Sequence, residues 1–225
     1  RDPRWVSTEE TYCEDTYLNG MLSTAAVIGL QCGDKGKVEK NNVAATLKHL
    51  AGHGESEGGL NQGPANYSMR VLRDYHMPPF KMCIDNARPV SVMPSYNEVD
   101  GVPSHSNRWL LKDLLRKEWG FKGMVVSDYF GVDQLFSKHF VCTDATDAAL
   151  TAFNAGVQYE FPQGNIYKVL PELVKKRKVS KEEIDRAVEQ VLEFKFSLGL
   201  FENPFVEEKT AVAVSKSVVH RKTAL

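Results

Sequence analysis

The feature that most constrains this chain is an alternation: short apolar runs that read as strands are followed by amphipathic runs that read as helices, several of which stop at glycine. STEETYCEDTYLNGMLSTAAVIGLQ (7–31) is helical in its second half, and NVAATLKHL (42–50) reads as a strand entering the Gly- and Glu-rich loop AGHGESEGGLNQGP. SMRVLRDYHMPPFKMCIDN (68–86) resumes helix with a break at Pro78 and Pro79, where the rings remove backbone donors. PVSVMPSYNEVDG (89–101) is a strand followed by a loop, and SNRWLLKDLLRKEWG (106–120) an amphipathic helix closed by Gly120. GMVVSDYFG is the next strand, DATDAALTAFNAG (144–156) the next helix and VQYEF (157–161) a short strand. The helical run NIYKVLPELVKKRK follows, and SKEEIDRAVEQVLEFKFSLGLF (180–201) opens on a Ser180/Glu183 capping box and closes at Gly199. Strand and helix in turn predict an α/β fold with parallel strands.

In such folds the strands are buried on both faces, and function gathers at their carboxyl ends. Asp128 falls at the end of MVV, Lys48 and His49 at the end of NVAATLKHL, and Tyr96 just beyond PVSVMP. Each alone reads equally well as a satisfied loop residue: Asp128 as a helix cap or turn aspartate, His49 as a core histidine. Together they outline a shared pocket. About four strands are legible, whereas a closed (β/α)8 barrel takes eight strands and about 250 residues. The chain therefore reads either as a small doubly wound domain or as the second half of a barrel. A start at RDPRW without methionine favours the second.

Composition narrows the function classes. The 28 Lys and Arg are interleaved with 29 Asp and Glu, for a net charge of −1, which gives a nucleic acid no basic face. The cluster KKRKVSK (175–181) reads as a solvated helix end. No apolar run is long enough to span a bilayer, and no secretory signal opens the chain. Cys13, Cys32, Cys83 and Cys142 are scattered without a C-x-x-C pair, so free thiols are expected rather than a zinc or redox site.

Four stretches carry a resemblance: RDPRWVSTEETYCED, LKHLAGHGESEGGLN, MPSYNEVDGVPSHSNRWLLKDLLRKEWGFKGMVVSDYFGV and AVEQVLEFKFSLGLFENPF. In this order they resemble glycoside hydrolase family 3, the β-glucosidase and β-xylosidase group. The resemblance implies that 1–207 is the later half of the family's first domain, a (β/α)8 barrel of the TIM type, and that 208–225 is a linker helix toward an α/β sandwich domain. It implies a retaining, exo-acting β-glycosidase that needs no metal or organic cofactor, acts on an oligosaccharide or glycoside, and is secreted or periplasmic rather than cytoplasmic. Asp128 matches the nucleophile. Lys48 and His49 match a pair that donates to sugar hydroxyls, and Tyr96 and Met93 match pocket walls, though Met93 also reads as core packing. Tyr129 stands where many members carry tryptophan, a smaller platform for the sugar's apolar face.

Two departures accompany the match. Where the family commonly has glycine and a sugar-binding arginine after RDPRW, this chain has Val6 and Ser7, so a charged donor is lost. The family's acid/base glutamate usually comes from the second domain. Glu57 and Glu98 lie in suitable regions here, but loop or capping roles account for them better. The single-domain N-acetylglucosaminidase branch uses a histidine in the loop after the Lys-His pair, and none follows His53 in that loop. Two alternatives to a hydrolase stay open: a barrel that binds carbohydrate without turning it over, and a half-barrel subunit of a larger assembly.

Overall fold

The computed structural model describes residues 2–32 and 37–224; Arg1 of the opening motif and Leu225 of the C-terminal tail lie outside them. By contacts the chain divides into two compact units, Arg1–Val191 and Leu192–Leu225. The second unit contains the end of α7 (Lys181–Ser197), then α8 (Glu208–Ser215) and α9 (Val218–Ala224), none of whose residues in α8 and α9 is buried.

The first unit is built on parallel strands. β1 (Thr46–Leu50), β3 (Ser91–Pro94) and β6 (Met124–Val125) form a parallel sheet in the order β1-β3-β6. A parallel bridge from Val126 to Tyr159 adds a fourth strand position. Among the described residues the sheet stays open, with β1 paired on one side only. The alternation read from sequence is thus present, with shorter strands. Residues 42–45 lie outside β1, and 157–161 contributes one bridge instead of a ladder. Gln158 diverts that ladder, because its side-chain Oε1 accepts the Val125 N–H at 3.0 Å.

The helices follow where the pattern places them. α1 (Thr16–Gln31) is capped by Asp15, whose carboxylate accepts the Leu18 N–H at 2.6 Å. α2 (Met69–Val71) runs into a wider turn at Leu72–His76, and α3 (Pro78–Ala87) starts afresh on Pro78, where a missing N–H costs nothing. The helix Trp109–Glu118 buries Leu110, Leu111, Leu114 and Leu115, one apolar stripe at helical spacing. Each leucine contributes about 1.5–3 kcal/mol of burial. A short α4 (Gln134–Ser137) precedes α5 (Ala145–Ala155), which turns Ala148, Ala149 and Ala152 inward. α6 (Leu170–Lys175) follows a 3₁₀ turn at Tyr167–Val169. The Ser180/Glu183 capping box before α7 forms as expected: Glu183 N–H donates to Ser180 Oγ at 3.1 Å and Ser180 N–H to Glu183 Oε2 at 3.2 Å.

The loop read after β3 is instead a second small sheet. β4 (Glu98–Val99) and β5 (Val102–Pro103) form a hairpin, and β2 (Pro64–Ala65) pairs with β4. Asp100 and Gly101 both take positive φ, 50° and 77°, the turn geometry that Asp-Gly favours between paired strands.

The amino ends of the strands are tied by buried polar side chains. Gln31 Oε1 accepts Ala45 N–H and Val90 N–H, each at 3.2 Å, and so holds the approaches to β1 and β3 side by side. Arg116 donates to Phe121 O, Gly123 O and Gln158 Oε1 at 3.0, 2.5 and 2.5 Å. Gln190 of α7 bonds Gln158 and the Lys122 and Gly123 carbonyls.

Candidate active site

The opposite, carboxyl ends of β1, β3 and β6 carry the residues singled out from sequence. Ser95, just past β3, bonds to β1's last residue: its N–H and Oγ donate to Leu50 O at 2.8 and 3.1 Å. Past β6, Ser127 N–H donates to Tyr159 O at 2.8 Å, and Ser127 Oγ accepts the Phe161 N–H at 2.8 Å. These bonds bring Tyr96 and Asp128 beside His49.

Asp128 is 6% exposed. Its Oδ1 accepts the Tyr129 N–H at 2.7 Å, and its own N–H donates to His105 Nε2 at 3.1 Å. Oδ2 lies 3.3 Å from His49 Nε2, a close approach that falls short of an aligned hydrogen bond and leaves this buried oxygen without one. Burial, then His53 and Lys48, push His49 down to about 3. It is therefore a neutral imidazole.

Tyr96 closes the cluster. Its hydroxyl donates to Tyr129 O at 2.8 Å. Burial raises the phenol above its usual range, and the adjoining Asp128 carboxylate adds to the shift. The hydroxyl thus stays protonated, a donor at neutral pH. The exposed Tyr129 ring meets Phe161 edge-on at 4.6 Å. His53 joins the rings from the loop after β1, 4.7 Å from His49, 4.9 Å from Trp5 and 6.0 Å from Tyr96. Burial lowers its pKa, and its Nε2 bonds the Asn61 carbonyl at 3.0 Å.

The structure thus gathers His49, Tyr96, Asp128 and the backbone of Tyr129. Lys48 takes another direction, its Nζ 3.4 Å from Glu10 Oε2 with both side chains half exposed. Met93 is half-buried on β3. A cavity of about 180 Å³ opens beside this cluster, lined among others by Trp5, Glu10, Lys48, His49 and His53, with Asp128 and Tyr96 outside its lining. Of the departures, Val6 is exposed and Ser7 precedes the Thr8–Glu10 turn. Glu98 lies against His139, Oε1 to Nδ1 at 3.1 Å, and Glu57 accepts Asn66 Nδ2 at 2.6 Å. His53, His105 and Trp5 are the members that sequence reasoning missed. Among the described residues no group of three or more His, Cys, Asp or Glu is placed to hold a metal ion, and no helix is long and apolar enough to cross a membrane. All four cysteines are free.

Parallel strands that deliver a carboxylate, an imidazole and a phenol to one sheet edge define a parallel α/β domain with its polar cluster at the strand ends. The chain belongs to glycosyl hydrolase family 3: the model of that family's N-terminal domain matches residues 1–194. It is 36% identical over 231 residues to a β-xylosidase of Formosa agariphila, covering 100% of this chain and 32% of the relative. It is 37% identical over 229 residues to a periplasmic β-glucosidase of Salmonella typhimurium, covering 100% and 29%. Among solved structures it resembles a β-glucosidase of Erythrobacter marinus with a TM-score of 0.93 and 36% identity, over 98% of this chain and 29% of that one. The chain spans about a third of the length of these relatives.

Proposed function

We propose that this chain supplies the nucleophile side of a retaining, exo-acting β-glycosidase that removes terminal non-reducing β-D-glucosyl or β-D-xylosyl residues. The observation that carries the reading is the Asp128 carboxylate, held at a strand end with one oxygen fixed by an amide and the other turned to His49 without an aligned hydrogen bond. That is the arrangement a nucleophile needs, positioned but not consumed by its neighbours. Asp128 attacks the anomeric carbon, the bond to the leaving-group oxygen breaks, and a second carboxyl group gives that oxygen a proton. The same group then takes a proton from water, which displaces the sugar from Asp128 with net retention. In this reading Lys48 and His49 donate to sugar hydroxyls, Tyr129 offers its ring to the apolar face, and Tyr96 and Met93 form wall.

The acid/base comes from outside this chain in our reading. Glu98 and Glu57 have partners of their own, and Glu160 accepts the Ile166 and Tyr167 amides. Residues 1–207 belong to a barrel whose other strands complete the open sheet, and 208–225 lead toward a further α/β sandwich domain. The share of its relatives that the chain spans supports this division. Likeness to a periplasmic relative supports an exported enzyme. The test is a 2-deoxy-2-fluoro glycoside with an activated leaving group, applied to the full-length enzyme and read by peptide mass. The label is expected on the peptide containing Asp128; a label on another carboxylate reassigns the nucleophile.

A further inference from the structure

The turn that carries Asp128 is moulded against a side chain from a distant segment. His105 sits in the short helical turn Ser104–Ser106 between β5 and the Trp109–Glu118 helix, and it is 3% exposed. Its Nε2 accepts the Asp128 backbone N–H at 3.1 Å. A ring nitrogen that accepts carries no proton, so the hydrogen of the neutral imidazole lies on Nδ1. Burial pushes His105 down to about 3, with His139 adding to the shift and the Ser95 backbone opposing it. The lone pair on Nε2 therefore persists across the neutral range. Tyr96 stacks over the ring at 6.4 Å and 30°.

Gly131 supplies the second, independent observation. A Cβ placed there would lie 2.2 Å from His105 Nε2 and 2.5 Å from its Cε1. Gly131 is not among the glycines with positive φ, so the ring, and not the backbone conformation, excludes a side chain. Gly131 N–H also closes the turn on Asp128 O at 2.9 Å. Turn and imidazole are thus fitted to each other at two points, the amide of Asp128 and the Cα of Gly131.

We propose that His105 is a positioning residue for Asp128: its bare Nε2 holds the Asp128 amide, its ring occupies the space beside Gly131, and together these set the direction in which the carboxylate leaves the strand. The proposal rests on the reading of Asp128 as nucleophile. Its consequence is geometric. With the turn fixed, Tyr129 N–H engages Oδ1 and Oδ2 is the oxygen left toward His49. Without the acceptor the turn rotates, and a displacement of about 1 Å costs about 10²-fold in rate.

The experiment compares His105→Leu and His105→Gln with the wild type in the full-length enzyme, following the rate at which a 2-deoxy-2-fluoro glycoside labels Asp128. Leucine fills the ring's space without an acceptor, and labelling is expected to slow by about 10²-fold while the dissociation constant for the bound sugar stays near that of the wild type. Glutamine can place Oε1 where Nε2 stood, and its rate is expected to return to within about tenfold of the wild type. Equal rates in the leucine variant and the wild type overturn the proposal and leave Asp128 as nucleophile. Equal slowing in both variants overturns it as well, because the acceptor then makes no difference. A wild-type label elsewhere overturns the reading of Asp128 itself. If neither variant folds, the ¹⁵N spectrum of histidine-labelled wild type decides. The ring with an Overhauser contact to the Asp128 amide should keep Nε2 bare down to about pH 4; a proton on that nitrogen overturns the proposal.

Discussion

The two ends of the parallel sheet bury polar side chains to opposite effect. At the amino end, Arg116 donates to two carbonyls and to Gln158, while Gln31 bridges the approaches to two strands. Burial pulls Arg116 down to about 10, and its hydrogen bonds hold it in place. At the carboxyl end, Asp128 keeps an oxygen with no aligned hydrogen bond, and His53 and Asn97 each leave one buried polar atom unpartnered. The amino end thus pairs its buried polar groups within the protein, while the carboxyl end keeps polar atoms turned to one another without an aligned hydrogen bond. In parallel α/β folds this contrast separates a face that stabilises from a face that reacts.

The sharpest way to break the comparison is Asp128→Ala. In the complete enzyme, turnover of an aryl β-glycoside should fall by on the order of 10⁴-fold, while sugar binding changes little and folding stability holds. Azide or formate should restore part of the activity on an activated substrate, giving a product of inverted configuration because only one displacement remains. A variant with near-native turnover makes Asp128 a structural residue and erases the distinction between the two ends.

Acid probes the carboxyl end next. His49 and His105 are both held near 3 when folded, below the ordinary 6.5, so the unfolded chain binds more protons between those values. Stability is present in full above about pH 6.5 and is lost as pH falls toward 3, by on the order of 3 kcal/mol per histidine by pH 4. Urea unfolding at a series of pH values measures it. His49→Gln should flatten the dependence, and an unchanged slope would show that this imidazole is not buried neutral.

Arg116→Met tests the stabilising end. It strips donors from the Phe121 and Gly123 carbonyls, and a loss of about 2–3 kcal/mol in denaturant unfolding is expected, with fluorosugar labelling of the folded fraction unchanged. Slowed labelling at full stability would reverse the roles of the two ends. The smallest effect belongs to an exposed pair at neither end. Lys181→Ala removes the 2.6 Å contact with Asp185, an exposed ion pair screened by solvent, and should leave denaturant unfolding indistinguishable from the wild type, a baseline for the other measurements.

Much of this was legible in the chain itself because it depends on near neighbours. The glycine stops, the Ser180/Glu183 box, the restart at Pro78 and the carboxylate ending MVV follow from periodicities and caps that act within a few residues. The Asp100-Gly101 hairpin was legible by the same local rule, though NEVDG was read as loop. Strand lengths were not, because whether 157–161 forms a ladder turns on Gln158 taking the Val125 amide, a choice made between segments 33 residues apart.

What the sequence alone determined is the order of elements and the placing of Lys48, His49, Tyr96 and Asp128 at strand ends, since alternation of strand and helix carries each strand's end to the same edge. Which of those side chains meet was decided only by the fold. Lys48 shares β1 with His49 yet turns to Glu10, and His105, 23 residues from Asp128, becomes the acceptor for its amide. Periodicity assigns a residue to a face or an end. The partner it meets there depends on the packing of distant segments, where a shift of about 1 Å is enough to make or lose a hydrogen bond.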